Sequence, residues 1–333
     1  QILLALHTPS NVLLYAHEYL RVIFGGILCT MAYNIAASIL RSLGDSRTPL
    51  YFLILSSFLN IVLDIFFIAT LHMGTAGAAW ATVLSQGISA LLCFWYMFHN
   101  YNNLRLSIRD LYPDPYRILC MIQSGIPMAL NQTVTAFGIM ILQSGINQFG
   151  SSVMAAYTAA SKLESLVMQP MIALGSGIST YCAQNIGARK TKRIFVGVRS
   201  TMLLSLGAAI LGMALYGIAS KAILRIFLSD PSPEMVHYAL QYLYTSVWFL
   251  LFLAWIFLFR NALVGLGNGL ITIIGGVAEL LCRFLCIHFL LQPFGFWCIC
   301  LTNPITWIVA CSLFCGFYFR WEHQQKHCSK SAR

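Results

Sequence analysis

Three residues in the first part of the chain have the types and spacing for ion chemistry. Asp64 is a carboxylate midway along the apolar run 50–71, and Asn60 precedes it by four positions. On a helix that spacing puts both on one face. Thr82, in the next apolar run, adds a hydroxyl oxygen. A carboxylate at mid-membrane depth costs about 2.5–3.5 kcal/mol to insert, so a functional role is its default reading. No basic residue shares its run. Asp64 is therefore expected either to take up a proton or to hold a small cation, with Asn60 and Thr82 supplying further oxygens. Either event suits a site that couples H+ or Na+ to another movement.

A second set of ionisable residues lies in later apolar runs: Glu164, Glu279 and Arg283, with Lys162, Arg260 and His288. Glu279 and Arg283 are four apart with the acid first, the favourable order for an ion pair along a helix. Lys162 and Glu164 stand near the start of their run, where long side chains snorkel to the interface. Arg260 stands near the end of its run and reads as an anchor. Glu164, Glu279 and Arg283 are candidates for secondary polar sites within the membrane.

The elements that must position these residues are membrane helices. Of 333 residues, 59% are hydrophobic and 9% charged, with a mean hydropathy of +0.75. Soluble domains carry about 25% charged residues, so this composition indicates an all-α polytopic membrane protein. Nine spans are expected, at about 18–43, 50–71, 76–98, 117–148, 153–185, 196–218, 236–262, 270–291 and 296–319, after a short apolar tail at 1–8. Pro127, Pro170 and Pro304 fall inside spans as candidate kinks.

Alternating the loops between the two sides gathers fourteen basic residues on one side, from Arg41 and Arg47 through Arg105, Arg109 and the Arg189–Arg193 cluster to Arg333. Only Arg21, Lys221 and Arg225 fall on the other. The positive-inside rule then puts the C-terminus in the cytoplasm. The net charge of +10 belongs to those loops rather than to a nucleic-acid surface. The expected location is the cell membrane, as a multi-pass monomer bathed in lipid.

The chain also repeats itself. Leu43-Gly44-Asp45-Ser46 matches Leu266-Gly267-Asn268-Gly269, 223 positions later. Each is followed by a long span, a glycine turn (Gly74, Gly295) and another span. In this register Arg283 stands opposite Asn60, and Ile287 opposite Asp64. Both copies share one orientation, as in a parallel repeat about the membrane normal. The second copy has six spans and the first only three and a stub, so about two and a half helices are expected to be missing ahead of residue 1.

Several functions are excluded. No GxxxxGK[ST] phosphate loop is present, and no HExxH. No Ser/His/Asp or Cys/His constellation can be assembled, and the eleven cysteines lack metal-ligand spacing. The reading is a transporter, not an enzyme, with no cofactor and no metal beyond a possible Na+ at Asp64. An ion gradient must drive it; one charge moving through 100 mV supplies about 2.3 kcal/mol.

Residues 33–68, YNIAASILRSLGDSRTPLYFLILSSFLNIVLDIFFI, followed by GTAGAAWATVLSQ, resemble helices four to six of the multidrug and toxic compound extrusion (MATE) family. GIPMALNQ (125–132) and AQNIGARKTKR (183–193) resemble helices seven and eight, and ALVGLGN (262–268) the end of helix ten. The resemblance implies a two-lobe bundle of twelve helices that exports organic, chiefly cationic, compounds in exchange for H+ or Na+. It divides the chain into an incomplete N-lobe at 1–98, a cytoplasmic linker at 99–116, a complete C-lobe at 117–319 and a basic tail at 320–333. In the DinF-like branch, an Asn and an Asp one turn apart on helix five and a Thr on helix six contribute to the N-lobe ion site; Asn60, Asp64 and Thr82 match them. The Asp of helix one has no counterpart. The NorM-like branch has acids on helices seven and ten, and spans 117–148 and 236–262 contain none.

Two alternatives accompany this reading. One is a flippase of the same superfamily for a lipid-linked oligosaccharide. It would need a basic cavity, for which Arg260, Arg283 and Lys162 are available. The other is an inactive transporter fragment.

Overall fold

The computed structural model describes residues 10–101, 104, 112–227 and 232–331. The tail at 1–8, Arg105, Arg109, Arg333 and much of the 99–116 linker lie outside them. Among the described residues every regular element is helical. That follows from apolar runs too long for strands, whose backbone groups must bond within their own segment to enter lipid. The chain divides into two compact units, 1–113 and 114–333.

In the first unit, α1 (Ser10–Gly25) and α2 (Ile27–Ser42) meet at Gly26 with a 46° bend. The helix thus begins earlier than the 18–43 span implied. The Val83 side chain fills the place where a Cβ on residue 26 would go. Leu43-Gly44 closes α2: Gly44 has φ +93°, and the Asp45 N–H reaches back to the Leu40 carbonyl at 3.0 Å. This left-handed helix stop favours glycine. Asp45 then starts α3 (Arg47–Asp64), its Oδ1 accepting from the Thr48 N–H at 3.0 Å. At Asp64 the α-helix widens into a π-helical stretch, Ile65–Thr70. A turn with positive φ at His72 and Gly74 leads into α4 (Gly74–Asn100). The central helix is α4, with α1, α2 and α3 packed on it. Small clusters hold them together, such as Ala36, Leu40, Cys93 and Met97. Most of the large apolar side chains of α3 stay exposed, among them Tyr51, Phe58 and Ile61, as expected of a surface meant for lipid or another helix.

The second unit begins at Asp114, whose side chain caps α5 (Pro115–Ile146). It continues through α6 (Ser151–Gly187), α7 (Thr191–Phe227), α8 (Pro233–Ser246), α9 (Leu250–Gly265) and α10 (Leu270–Leu285). A π-helical turn at Cys286–Leu290 and the short α11 (Leu291–Phe294) precede α12 (Phe296–Ser331). One continuous core, including Tyr216, Tyr242, Phe259, Phe314 and Tyr318, joins α6, α7, α8, α9 and α12. Pro127, Pro170 and Pro304 are accommodated within α5, α6 and α12.

The internal repeat is visible in the backbone bonds. Gly267 has φ +84°, and the Asn268 N–H bonds to the Leu263 carbonyl at 2.9 Å, 223 positions on from the Asp45–Leu40 bond. Gly74 and Gly295 have φ of +55° and +54°. In both copies the helix after the first glycine passes into a π-helical stretch near the same point.

Among the described residues, seven helices are long and apolar enough to cross a membrane by length and composition, and an eighth is added if α1 and α2 form one bent span. The ninth expected span, 153–185, is the long helix α6, which is not among them. Its hydroxyls, Lys162 and Glu164 dilute its apolar character, and several of them face a polar pocket inside the second unit.

Candidate functional site

The first-unit site is built on the facing sides of α3 and α4. Asn60 points toward Thr82, with its Nδ2 3.4 Å from the Thr82 Oγ1, a long hydrogen bond. The Thr82 hydroxyl in turn donates to the Ala78 carbonyl at 3.0 Å, which fixes its rotamer. Asp64 follows one turn later, where the π-helical stretch begins. Its Oδ1 is buried with no hydrogen-bond partner. Among the described residues, no hydrogen bond joins Asp64 to Asn60 or Thr82. The fold thus brings Asn60 and Thr82 together and leaves a carboxylate oxygen unsatisfied one turn away. A buried, unpartnered carboxylate oxygen calls for a proton or a cation. π-helical turns are rare and recur at functional positions, because the extra residue re-aims the side chains beside it.

The second set of residues converges in the second unit. Glu164, Glu279, Arg283, Arg260 and Lys162 all line one pocket of about 480 Å³, between α5, α6, α9, α10 and α12. Glu164 does not snorkel: it is buried on α6, and its Oε2 accepts from the Tyr242 hydroxyl of α8 at 2.7 Å. The Tyr242 oxygen accepts from the Asn303 Nδ2 of α12 at 2.9 Å. The Tyr157 ring stands edge-on to Tyr242, with centroids 5.0 Å apart. Glu164 Oε1 is buried without a partner among the described residues. Glu279 and Arg283 form the expected pair along α10, both buried, with Nη2–Oε2 3.7 Å. Arg260 lies over the Phe257 ring at 5.1 Å and lines the pocket, a more interior place than an interfacial anchor occupies.

Sequence reading did not find Tyr242 or Asn303. Both lie in apolar runs, where a tyrosine or asparagine reads as packing or helix–helix contact. Only their meeting in the fold marks them, Tyr242 with Glu164 across 78 positions and Asn303 with Tyr242 across 61.

Comparison with known proteins bears on both units. A family model, MatE, matches residues 1–66 and 127–294. "Probable multidrug resistance protein YpnP" of Bacillus subtilis is 32% identical over 238 residues, covering 72% of this chain and 53% of the relative. "Probable multidrug resistance protein YoeA" of the same organism is 29% identical over 259 residues, covering 75% and 56%. This chain thus spans about half the length of these relatives. Among solved structures, the outward-facing conformation of a multidrug resistance MATE family transporter of the MOP superfamily aligns with a TM-score of 0.87 at 22% identity. That alignment covers 97% of this chain and 73% of the other, and it is a likeness of fold.

Proposed function

This chain belongs to the MATE family, and from that premise we propose that it acts in cation-coupled efflux of organic, chiefly cationic, compounds, with Asp64 as the coupling carboxylate. In this reading the helices within 1–98 belong to the N-lobe and 117–319 to the C-lobe. The protein sits in the cell membrane as a monomer with its C-terminus in the cytoplasm. The observation that carries the proposal is the buried Asp64 Oδ1, which has no partner among the described residues and lies one turn from the Asn60–Thr82 pair.

The mechanism follows from the charge on Asp64. Ionised, it is a counter-charge for a cationic compound. A proton or Na+ arriving from outside neutralises it, with the Asn60 and Thr82 oxygens available to a metal cation. Loss of the charge weakens the hold on the compound and changes the relative stability of the two access states. Only a ligand that binds two states differently can shift the balance between them, and neutralising a half-buried carboxylate is such a difference. The compound leaves outward, and the transporter returns and releases its ion inside.

The test has two readouts. In proteoliposomes, Asp64→Asn should abolish the H+ or Na+ counterflow that an exported compound evokes. In detergent, any thermal stabilisation by Na+ should disappear in the same variant. Undiminished exchange by Asp64→Asn would overturn the assignment.

A further inference from the structure

The pocket of the second unit has a charge balance that the coupling site does not explain. Three cationic side chains line it, Lys162, Arg260 and Arg283, against the two carboxylates Glu164 and Glu279. Glu279 is committed to Arg283, and the bonded oxygen of Glu164 to Tyr242. Lys162 and Arg260 enter no ion pair among the described residues. Glu164 Oε1 has no partner among the described residues either, so three cationic side chains stand against two carboxylates, and the balance leaves room for one further anionic group.

Arg283 is the most demanding of the three. It is 6% exposed, and its guanidinium cannot shed its charge. Its Nη2 stands 3.7 Å from Glu279, too far for a hydrogen bond. Its Nε and Nη1 are buried and have no acceptor among the described residues. A buried guanidinium with unmade hydrogen bonds is costly, and a planar anion that accepts parallel bonds from Nη2 and one of these two donors relieves part of that cost. The seat is shaped for this side chain. A Cβ on residue 138 would lie 2.7 Å from Nη1 and 3.2 Å from Cδ, so the guanidinium can rest against α5 only because that residue is glycine. Part of the remaining wall is apolar and aromatic, with Met168, Leu253, Phe257 and Trp307, and part carries hydroxyl and amide groups such as Thr135, Ser161 and Asn303.

We infer that this pocket binds the carboxylate of an amphipathic organic anion, seated on Arg283, with its apolar body against Phe257 and Trp307. The inference rests on the transporter reading only for what the pocket serves, and it names a second substrate class beside the cationic one. It does not depend on Asp64.

The test is equilibrium binding to the purified protein in detergent, without any ion gradient, using 2-naphthoate as the probe and intrinsic tryptophan fluorescence or calorimetry as the readout. The uncharged 2-naphthamide and the cationic 2-naphthylmethylammonium should bind at least about thirtyfold more weakly, and Arg283→Gln should weaken naphthoate by a similar factor, the loss typical of a buried charge partner. Arg283→Lys should recover only part of it, because it restores charge without the planar fork. Where Arg283→Gln does not fold, Arg260→Gln and Gly138→Ala read the same interaction from its two sides. Equal affinities for naphthoate and naphthamide would overturn the inference, as would naphthoate binding indifferent to all of these substitutions. Tighter binding of 2-naphthyl phosphate than of 2-naphthoate would overturn the carboxylate assignment. No gradient is involved, so failure here leaves the Asp64 exchange result standing, and the reverse also holds.

Discussion

Tyr242→Phe removes one oxygen atom and little else. That oxygen donates to Glu164 at 2.7 Å and accepts from Asn303 at 2.9 Å, and Tyr242 is fully buried. The ring volume is kept, so no cavity of consequence forms. What changes is hydrogen bonding: Glu164 loses its one hydrogen-bonded oxygen contact, and the Asn303 Nδ2 loses its acceptor. In water-soluble cores each group left unsatisfied costs about 1–3 kcal/mol. Between membrane helices, side-chain hydrogen bonds average about 0.6 kcal/mol and reach about 1.7, because the unfolded chain in the membrane finds other partners. Two bonds on the membrane scale give about 1–3 kcal/mol of destabilisation. Reversible unfolding in mixed micelles would measure it, with a double-mutant cycle against Glu164→Leu to isolate the shared term. The coupling should be about 0.6 kcal/mol or more. Strict additivity of the two substitutions, or no loss of stability in Tyr242→Phe, would refute the claim that the Tyr242 hydroxyl ties Glu164 to Asn303.

Other substitutions probe the first unit. Burial alone would raise the Asp45 carboxyl, but the bonds from Thr48, the Tyr101 hydroxyl and the Arg47 backbone outweigh it and hold its pKa below the ordinary carboxylate value. A depressed folded pKa contributes stability that is fully present above the unfolded value and is lost as pH falls through the folded one. The gap in thermal stability between wild type and Asp45→Ala should therefore be constant near neutral pH and close only below about pH 4, as a melting series across pH would show. Gly26→Ala drives a methyl into Val83 at the α1–α2 bend and should cost about 1–3 kcal/mol. Adding Val83→Ala should return part of that in the same unfolding assay, and a double variant no better than the single one would argue against the contact.

The amino-acid sequence determined by itself what depends on local chemistry. Apolar runs of membrane length became helices because lipid leaves the backbone no other partner. The repeat was legible as Leu-Gly-Asp and Leu-Gly-Asn, because a helix that stops in the left-handed region favours glycine at that point; both stops formed with matching backbone bonds. Asn60 and Asp64 share a face by helical period alone. The pairing of Glu279 with Arg283 was readable for the same reason. The tertiary structure decided what depends on distant segments meeting. The π-helical stretch after Asp64 has no sequence signature, since its residues suit an α-helix equally well. The second-unit pocket draws on five helices, and only packing turns Glu164 from an interfacial residue into a buried acceptor for Tyr242. Arg260 and Arg283 could be listed from the sequence as residues able to line a basic cavity. That they share one cavity, with the Arg283 guanidinium resting on Gly138, follows from close helix approach, which one-dimensional spacing does not encode.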